Sequence, residues 1–425
     1  MSFLRSLQRC LPRKALLAAL AGLLSTSAAL AAPDSALREA AQKEQPAVID
    51  SLRAMVEIES GSHDLQGLAS MARLVESRLQ ALGFKTERHK GSTAPGADIV
   101  VGTLKGSGKR HLMLQAHMDT VYEKGILKTQ PWKVDGNRLY GPGIADDKGG
   151  IAVILHGLKL LQERGWKDFA TLTVLVNADE EIGSMGSGEL ISKLADQHDV
   201  VLSFEPTGAK AVSKHEFVLL GAAGTARATL SVKGRGSHAG AAPELGRNAI
   251  LEISHQMIQT RDIGKTVPGI VHNWTNVVSN KATNQIPELA TAIGDVRITV
   301  PGAEKTFEAA MRARLASSKL IPDTEILFDF ETRRPAYLAG PKGQALAKRA
   351  QAIYQELDRE LLTVPMTGGG TDAGYAGRSG KAAVLESLGL AGHGYHARDE
   401  YIEIDSIVPR LYLMGRMLIE LGKDQ

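Results

Sequence analysis

Residues 171–184 read TLTVLVNADEEIGS: a six-residue run of Thr, Leu and Val, then two adjacent glutamates, Glu180 and Glu181, just before a glycine. An apolar run so short and so rich in β-branched residues predicts a strand buried on both faces. DIVVGTL (98–104), HLMLQA (111–116), VVLSF (200–204) and AAVLES (382–387) share that texture. Between them Ile151, Ile154, Leu155, Leu158 and Leu161 recur at helical spacing. The alternation predicts an α/β fold with a doubly wound, mostly parallel sheet covered by helices. In such sheets the functional loops leave the carboxyl ends of the strands.

Residues 220–330 have a different texture. ARATLSVKG (226–234) reads as a strand, 246–261 as a helix, GIVHNWTNVV (269–278) and ATAIGDVRITV (290–300) as strands, 304–317 as a helix and TEILFDF (324–330) as a strand. That β-α-β-β-α-β order is the split arrangement of a small α+β sandwich, inserted as a second domain. The expected division is therefore a leader at 1–31, a first domain made of 32–219 and 331–425, which carries those strand ends, and an inserted domain at 220–330.

The leader is read from Arg5, Arg9, Arg13 and Lys14, then an apolar run from Ala15 to Leu24, then ALA at 29–31. That order marks an export signal cleaved after Ala31 and a product that is periplasmic or secreted. The apolar run falls short of the roughly 20 residues a spanning helix needs, so no membrane partner is expected after cleavage. The leader carries four basic residues and no acidic one, so its loss takes the formal net charge from +3 to −1. Charge then gives no case for a nucleic-acid partner. The only cysteine, Cys10, leaves with the leader, which excludes disulfides, thiolate metal sites and cysteine nucleophiles from the remainder.

Polar residues cluster where the strands end. His117 and Asp119 follow HLMLQA two apart, so in extended backbone they point the same way. YGPGIADDKGG puts Asp146 and Asp147 in a glycine-rich turn where a helix begins; Glu205 follows VVLSF, and GHGYHARDEY supplies His393 and His396. Imidazoles and carboxylates converging in one crevice are costly as uncompensated negative charge, and a pair of divalent cations resolves the repulsion. Nitrogen and oxygen ligands without sulfur suit zinc or a similar first-row metal, which polarises a carbonyl and activates water. Taken singly, each residue has a plainer use: a hydrogen-bonded histidine, an Asp146 helix cap, solvated loop glutamates at 181 and 205.

AHMDTV, GPGIADDKGG, ADEEIGS, SFEPT, GRGSHAGAAPELGRNA, TGGGTDA and GYHARDEY, in this order, resemble the motifs of the dinuclear zinc aminoacylase/carboxypeptidase family of metallopeptidases. Past the leader, nearly the whole chain is similar to its folate-hydrolysing glutamate carboxypeptidases. The resemblance implies two zinc ions per chain, one on His117 and Glu205, the other on Glu181 and His396, with Asp146 bridging. It implies Asp119 as the orienting partner of His117, Glu180 as general base and a cis peptide after Asp146. It also implies that His238, in the inserted lid domain, reaches an active site, its own or that of a partner subunit in a homodimer formed through the lid.

A carboxypeptidase must read a free carboxylate, which suits an arginine fork. Arg297 matches the family position, with Asn284 beside it, and the loop Thr367–Ala373 offers backbone amides at Gly369, Gly370 and Thr371. One departure stands out: where those carboxypeptidases are expected to carry a lysine for the glutamate side chain, this chain has Phe217, with Lys214 or Arg334 as possible substitutes. The expected activity is hydrolysis of the amide bond of a C-terminal glutamate in folates or other N-acyl-glutamates, the partner being a small N-acyl amino acid or peptide. Two alternatives stand beside it: an aminoacylase or dipeptidase with another side-chain preference, and a non-catalytic binding protein on the same scaffold. HExxH and GxSxG patterns are absent.

Overall fold

The structure, a computed structural model, describes Pro33–Asp424 except Lys281; the expected leader and Cys10 lie outside the described residues. Helices α1 (Ser35–Val56) and α2 (Leu65–Ala81) precede strands β1 (Lys85–Lys90), β2 (Asp98–Lys105) and β3 (His111–His117). Helix α3 (Lys148–Glu163) leads to β4 (Thr171–Asn177) and β5 (Val200–Ser203). Then come β6 (Gly224–Lys233), α4 (Ala249–Thr260), β7 (Ile270–Ser279), β8 (Leu289–Ile298), α5 (Ala303–Leu315) and β9 (Glu325–Arg334). The chain closes with α6 (Pro341–Gln355), β10 (Ala383–Leu385) and α7 (Ile407–Lys423).

The main sheet has the order β1-β2-β4-β3-β5-β10. Strands β4, β3, β5 and β10 run parallel, while β2 lies antiparallel to β4 and β1 antiparallel to β2. This is the mostly parallel α/β sheet that the apolar runs predict. Alternation along each strand feeds two cores. Val100, Leu112, Leu114, Val174 and Leu202 pack with α1, α3 and α7 on one face, and Ile99, Val101, Met113, Leu175 and Val201 pack with the helix Gly188–Ala195 on the other. Each aliphatic side chain so buried contributes roughly 1.5–3 kcal/mol. Strand ends anchored by two such cores are fixed points.

A smaller sheet, in the order Lys133–Asp135, Arg138–Tyr140, Tyr401–Glu403, Ala391–His393 and Thr207–Gly208, was not legible in the sequence. It brings the chain on either side of His396 beside the segment leading to Asp146.

Strands β6 to β9 form a separate antiparallel sheet, β7-β8-β6-β9, in the β-α-β-β-α-β order read from the sequence. Burial alternates along β6 and β8. Ala226, Ala228, Ala290 and Ala292 are buried with residues of α4 and α5, and their small side chains let those helices lie close. The opposite face presents Thr225, Arg227, Asp295 and Arg297 to a cavity shared with the main sheet's carboxyl edge. Among the described residues no helix is long and apolar enough to cross a membrane.

Candidate functional site

The expected residues gather at that edge. His117 ends β3, Glu180 and Glu181 follow β4, and Glu205 follows β5. Asp147 caps α3 by accepting the Gly150 N–H at 3.1 Å. Gly150 sits so close to the end of β5 that an added Cβ would lie 2.2 Å from the Phe204 carbonyl oxygen, so only glycine permits this approach. The helix start bearing Asp146 is thereby pinned beside the strand bearing Glu205, and the Asp146–Asp147 peptide is cis.

The glutamate doublet does not leave β4 in extended backbone. Glu180–Ile182 forms a single 3-10 turn, closed by Gly183 at φ +100. Successive side chains on such a turn diverge by about 120°. Glu180 points toward Arg334 and Glu181 toward His396, so separation comes from the turn and not from strand pleating.

Asp146 lies between the two histidines. Its Oδ1 is 2.9 Å from His117 Nε2 and its Oδ2 is 3.5 Å from His396 Nε2. Glu205 Oε1 stands 3.6 Å from His117 Nε2, and Glu181 Oε2 stands 3.0 Å from His396 Nε2. His117, Glu180 and Glu205 offer ligand atoms that all lie within 4.8 Å of one another, as do Asp146, Glu181 and His396. Beneath them Asp119 Oδ1 is 3.3 Å from His117 Nδ1 and accepts the Glu180 N–H at 3.0 Å. Its Oδ2 accepts the Glu181 N–H at 3.1 Å and the Ser62 hydroxyl at 2.7 Å. The Asp119 carbonyl oxygen is nearer still to His117 Nδ1, at 3.1 Å, so this residue meets the histidine with both its backbone and its carboxylate while the carboxylate holds the doublet.

Burial pushes Glu205 and Glu180 well above the usual carboxylate range, and neighbouring Asp146 adds to the rise at Glu205. Glu181 is pushed up to about 7 by burial and by Asp146. His117 is raised despite its burial, chiefly by Glu205, Asp119 and Asp146, and hydrogen bonds to Asp146 and Glu181 raise His396 to about 10. Two like charges 4 Å apart repel by ~4 kcal/mol at an effective dielectric near 20. Several such pairs demand either protons or cations, and this nitrogen-and-carboxylate donor set fits divalent metal.

The remaining expected residues divide into two groups. Arg297, Gly369, Gly370, Thr371 and Phe217 line the cavity of about 1060 Å³ together with Asp146, Glu180, Glu181, Glu205 and His396. Arg297 Nε pairs there with Asp295 Oδ2 at 2.9 Å. His238 lies on a two-stranded ribbon formed by Ser237–His238 and Gln285–Ile286, Asn284 immediately precedes its second strand and accepts the Ala239 N–H, and neither is among the residues lining that cavity. Lys214 is not among the lining residues, whereas Arg334 is.

Sequence reasoning considered Arg334 only as a substitute for a missing lysine. Its Nη1 lies 2.6 Å from Glu180 Oε1, a buried ion pair rather than an aligned hydrogen bond, and its Nη2 donates to the Glu180 carbonyl. The doubled arginine in ETRRPAY at the end of β9 was the available signal. Asp372, which accepts from Asn177 Nδ2 at 2.8 Å and from the Ser184 hydroxyl, is a further buried carboxylate of this floor.

The profile of peptidase family M20/M25/M40 matches residues 113–420, and the chain belongs to this family of metallopeptidases. It is 45% identical to carboxypeptidase G2 of Pseudomonas sp. (strain RS-16) over 414 residues, covering 96% of this chain and 98% of that protein. Succinyl-diaminopimelate desuccinylase of Parvibaculum lavamentivorans is 27% identical over 355 residues, covering 79% and 86%. In fold, the chain is similar to a Staphylococcus aureus tripeptidase, with TM-score 0.73 at 19% identity over 89% of this chain and 99% of that one. An M20 family metallo-carboxypeptidase of Sulfolobus solfataricus gives TM-score 0.68 at 19% identity over 88% and 99%.

Proposed function

We propose that the chain is an exported zinc-dependent carboxypeptidase that hydrolyses the amide bond of a C-terminal glutamate in folates or other N-acyl-glutamates. The observation that carries the metal reading is Asp146, with one carboxylate oxygen facing each histidine of the pair His117 and His396. The glutamate reading is supported by 45% identity to carboxypeptidase G2. His117 and Glu205 would hold one zinc, Glu181 and His396 the other, and Asp146 both. When bound, two such ions supply Lewis-acid polarisation and water activation.

The chain's own residues do the rest. Arg297, aided by backbone amides of the Gly369–Thr371 loop, orients the substrate carboxylate. Glu180, shielded from solvent, takes a proton from the attacking water and returns it to the leaving amide nitrogen as the C–N bond breaks. Water and amide are consumed; an acid and an amino acid are formed. Asp119 keeps Glu180 and Glu181 apart and His117 in register.

The segment 220–330 would act as lid and dimer surface. Strand β7 is a sheet edge exposing Val271, Val277 and Val278, and that edge supports pairing with a second copy. His238 and Asn284, which do not line their own chain's cavity, would then complete the partner's site. Mixing inactive His238→Ala and Glu180→Ala chains should restore activity at one site per heterodimer; failure to restore any would remove the shared-site reading.

One observation favours a second reading of specificity. Phe217, Leu219 and Pro206 give the cavity an apolar wall, which suits an aliphatic C-terminal side chain and hence an aminoacylase or dipeptidase preference. Comparing kcat/KM for folate, N-acyl-glutamate, N-acyl-leucine and N-acyl-alanine decides between them. A preference for leucine would overturn the glutamate assignment while leaving the chemistry intact.

A further inference from the structure

The turn that carries Asp146 is built around a side chain from the other end of the chain. In GPGIAD, residues 141–146, the Gly141 N–H is 3.2 Å from the Glu400 carbonyl oxygen. The Gly143 N–H donates to Glu400 Oε2 at 2.7 Å, and the Ala145 and Asp146 N–H groups donate to Oε1 at 2.8 and 3.0 Å. Pro142 has no N–H, and Ile144 turns back to the Gly141 carbonyl. Glu400 thus receives every amide of this turn but one. Its carboxylate is fully buried and holds no ligand position in the two triads.

The same carboxylate reaches the other loop. Tyr122 Oη lies 2.8 Å from Glu400 Oε2 and 2.6 Å from the carbonyl oxygen of Ala397, the residue after His396. A phenol has one proton for these two acceptors, so it is shared between the loop and the carboxylate. The turn bearing Asp146 and the loop bearing His396 are joined through two side chains.

We propose that Glu400, linked by Tyr122 to the His396 loop, is the positioning residue that sets the spacing of Asp146 and His396 and thereby governs retention of the ion held by Asp146, Glu181 and His396. The proposal rests on the two-ion reading above. Ligand loops that drift apart cannot close on an ion together, and outer partners of ligands typically alter metal affinity 10–100-fold.

The test uses the zinc-loaded full chain and follows release of zinc to a chromophoric chelator, with thermal unfolding of the metal-free protein measured in parallel. Tyr122→Phe leaves the Glu400–turn hydrogen bonds in place; it should speed release of one of two ions by at least about tenfold, leaving the second ion and metal-free unfolding unchanged. Glu400→Gln, which sets an NH2 group against backbone donors, should speed the same phase further and, because Asp146 also faces His117, the other phase to a lesser extent. Wild-type release of both ions from Tyr122→Phe overturns the proposal, as does equal acceleration of both ions with a fall in metal-free stability. A wild type that binds fewer than two ions overturns the underlying reading instead, and that is read before any variant is made.

Discussion

The main sheet's edge and the lid sheet handle buried polarity in opposite ways. At the edge, carboxylates such as Asp119 and Glu400 are saturated with backbone N–H donors, so charge is present but answered. In the lid core, His272 is packed against Trp274 and Phe307 and, among the described residues, has no hydrogen-bond partner at either ring nitrogen. The lid's charges instead line its cavity face, where Arg297 and Asp295 pair half-exposed. The first arrangement builds a rigid reaction centre, and the second leaves a wall whose charges can change partners.

The largest expected effect breaks the edge. Glu180→Gln should lower kcat by ~10²–10⁴-fold with the ion content intact, since glutamine keeps the side chain's shape but cannot take the proton; Glu181→Gln should instead lose an ion, as metal analysis would show. A Glu180→Gln enzyme of normal turnover would deny the division between the two glutamates.

The next effect belongs to the lid core. Burial pushes the His272 imidazole down to about 4, against the weak upward pull of Asp295. In the unfolded chain the same group takes its proton near pH 6.5. The folded lid therefore keeps its full stability above about pH 6.5 and loses it as pH falls toward 4, by on the order of 3 kcal/mol. Urea unfolding of metal-free protein across that window should show the loss, and His272→Phe should flatten it.

Arg297→Ala should reduce kcat/KM by about tenfold, mainly through KM, because a charged hydrogen bond contributes ~1.5–3 kcal/mol and part of that is already satisfied by Asp295. A change confined to kcat would place Arg297 outside carboxylate recognition. Smallest of all, Phe217→Lys should shift the glutamate-over-leucine ratio roughly 2–5-fold toward glutamate, the worth of a partly solvated ion pair.

Much of this was legible because it is written in local pattern. Apolar runs such as TLTVLV and HLMLQA mark strands whose ends carry function, and the lid's alternation is plain in β6 and β8. Strand β1, KTERHK, was not legible: an edge strand with mostly exposed side chains needs only backbone pairing with β2. The three-residue strands around His396 were too short to show a period. The 3-10 turn at Glu180–Ile182 is a single turn of three residues, too short to show a period in the sequence. Arg334 and Glu400 were visible as letters, but their partners lie 154 and 254 residues away, at Glu180 and Asp146, and no local rule reports such a pairing.

That long separation changes what counts as a portable part. The stretch GPGIADDKGG looks like a self-contained cassette that could be grafted onto another α/β scaffold. Without a carboxylate arriving from outside to collect its amides, the graft would carry the ligand but not the shape that aims it. An engineer would have to move two pieces of chain at once, and a genome search by contiguous pattern would accept sequences in which the second piece has been lost.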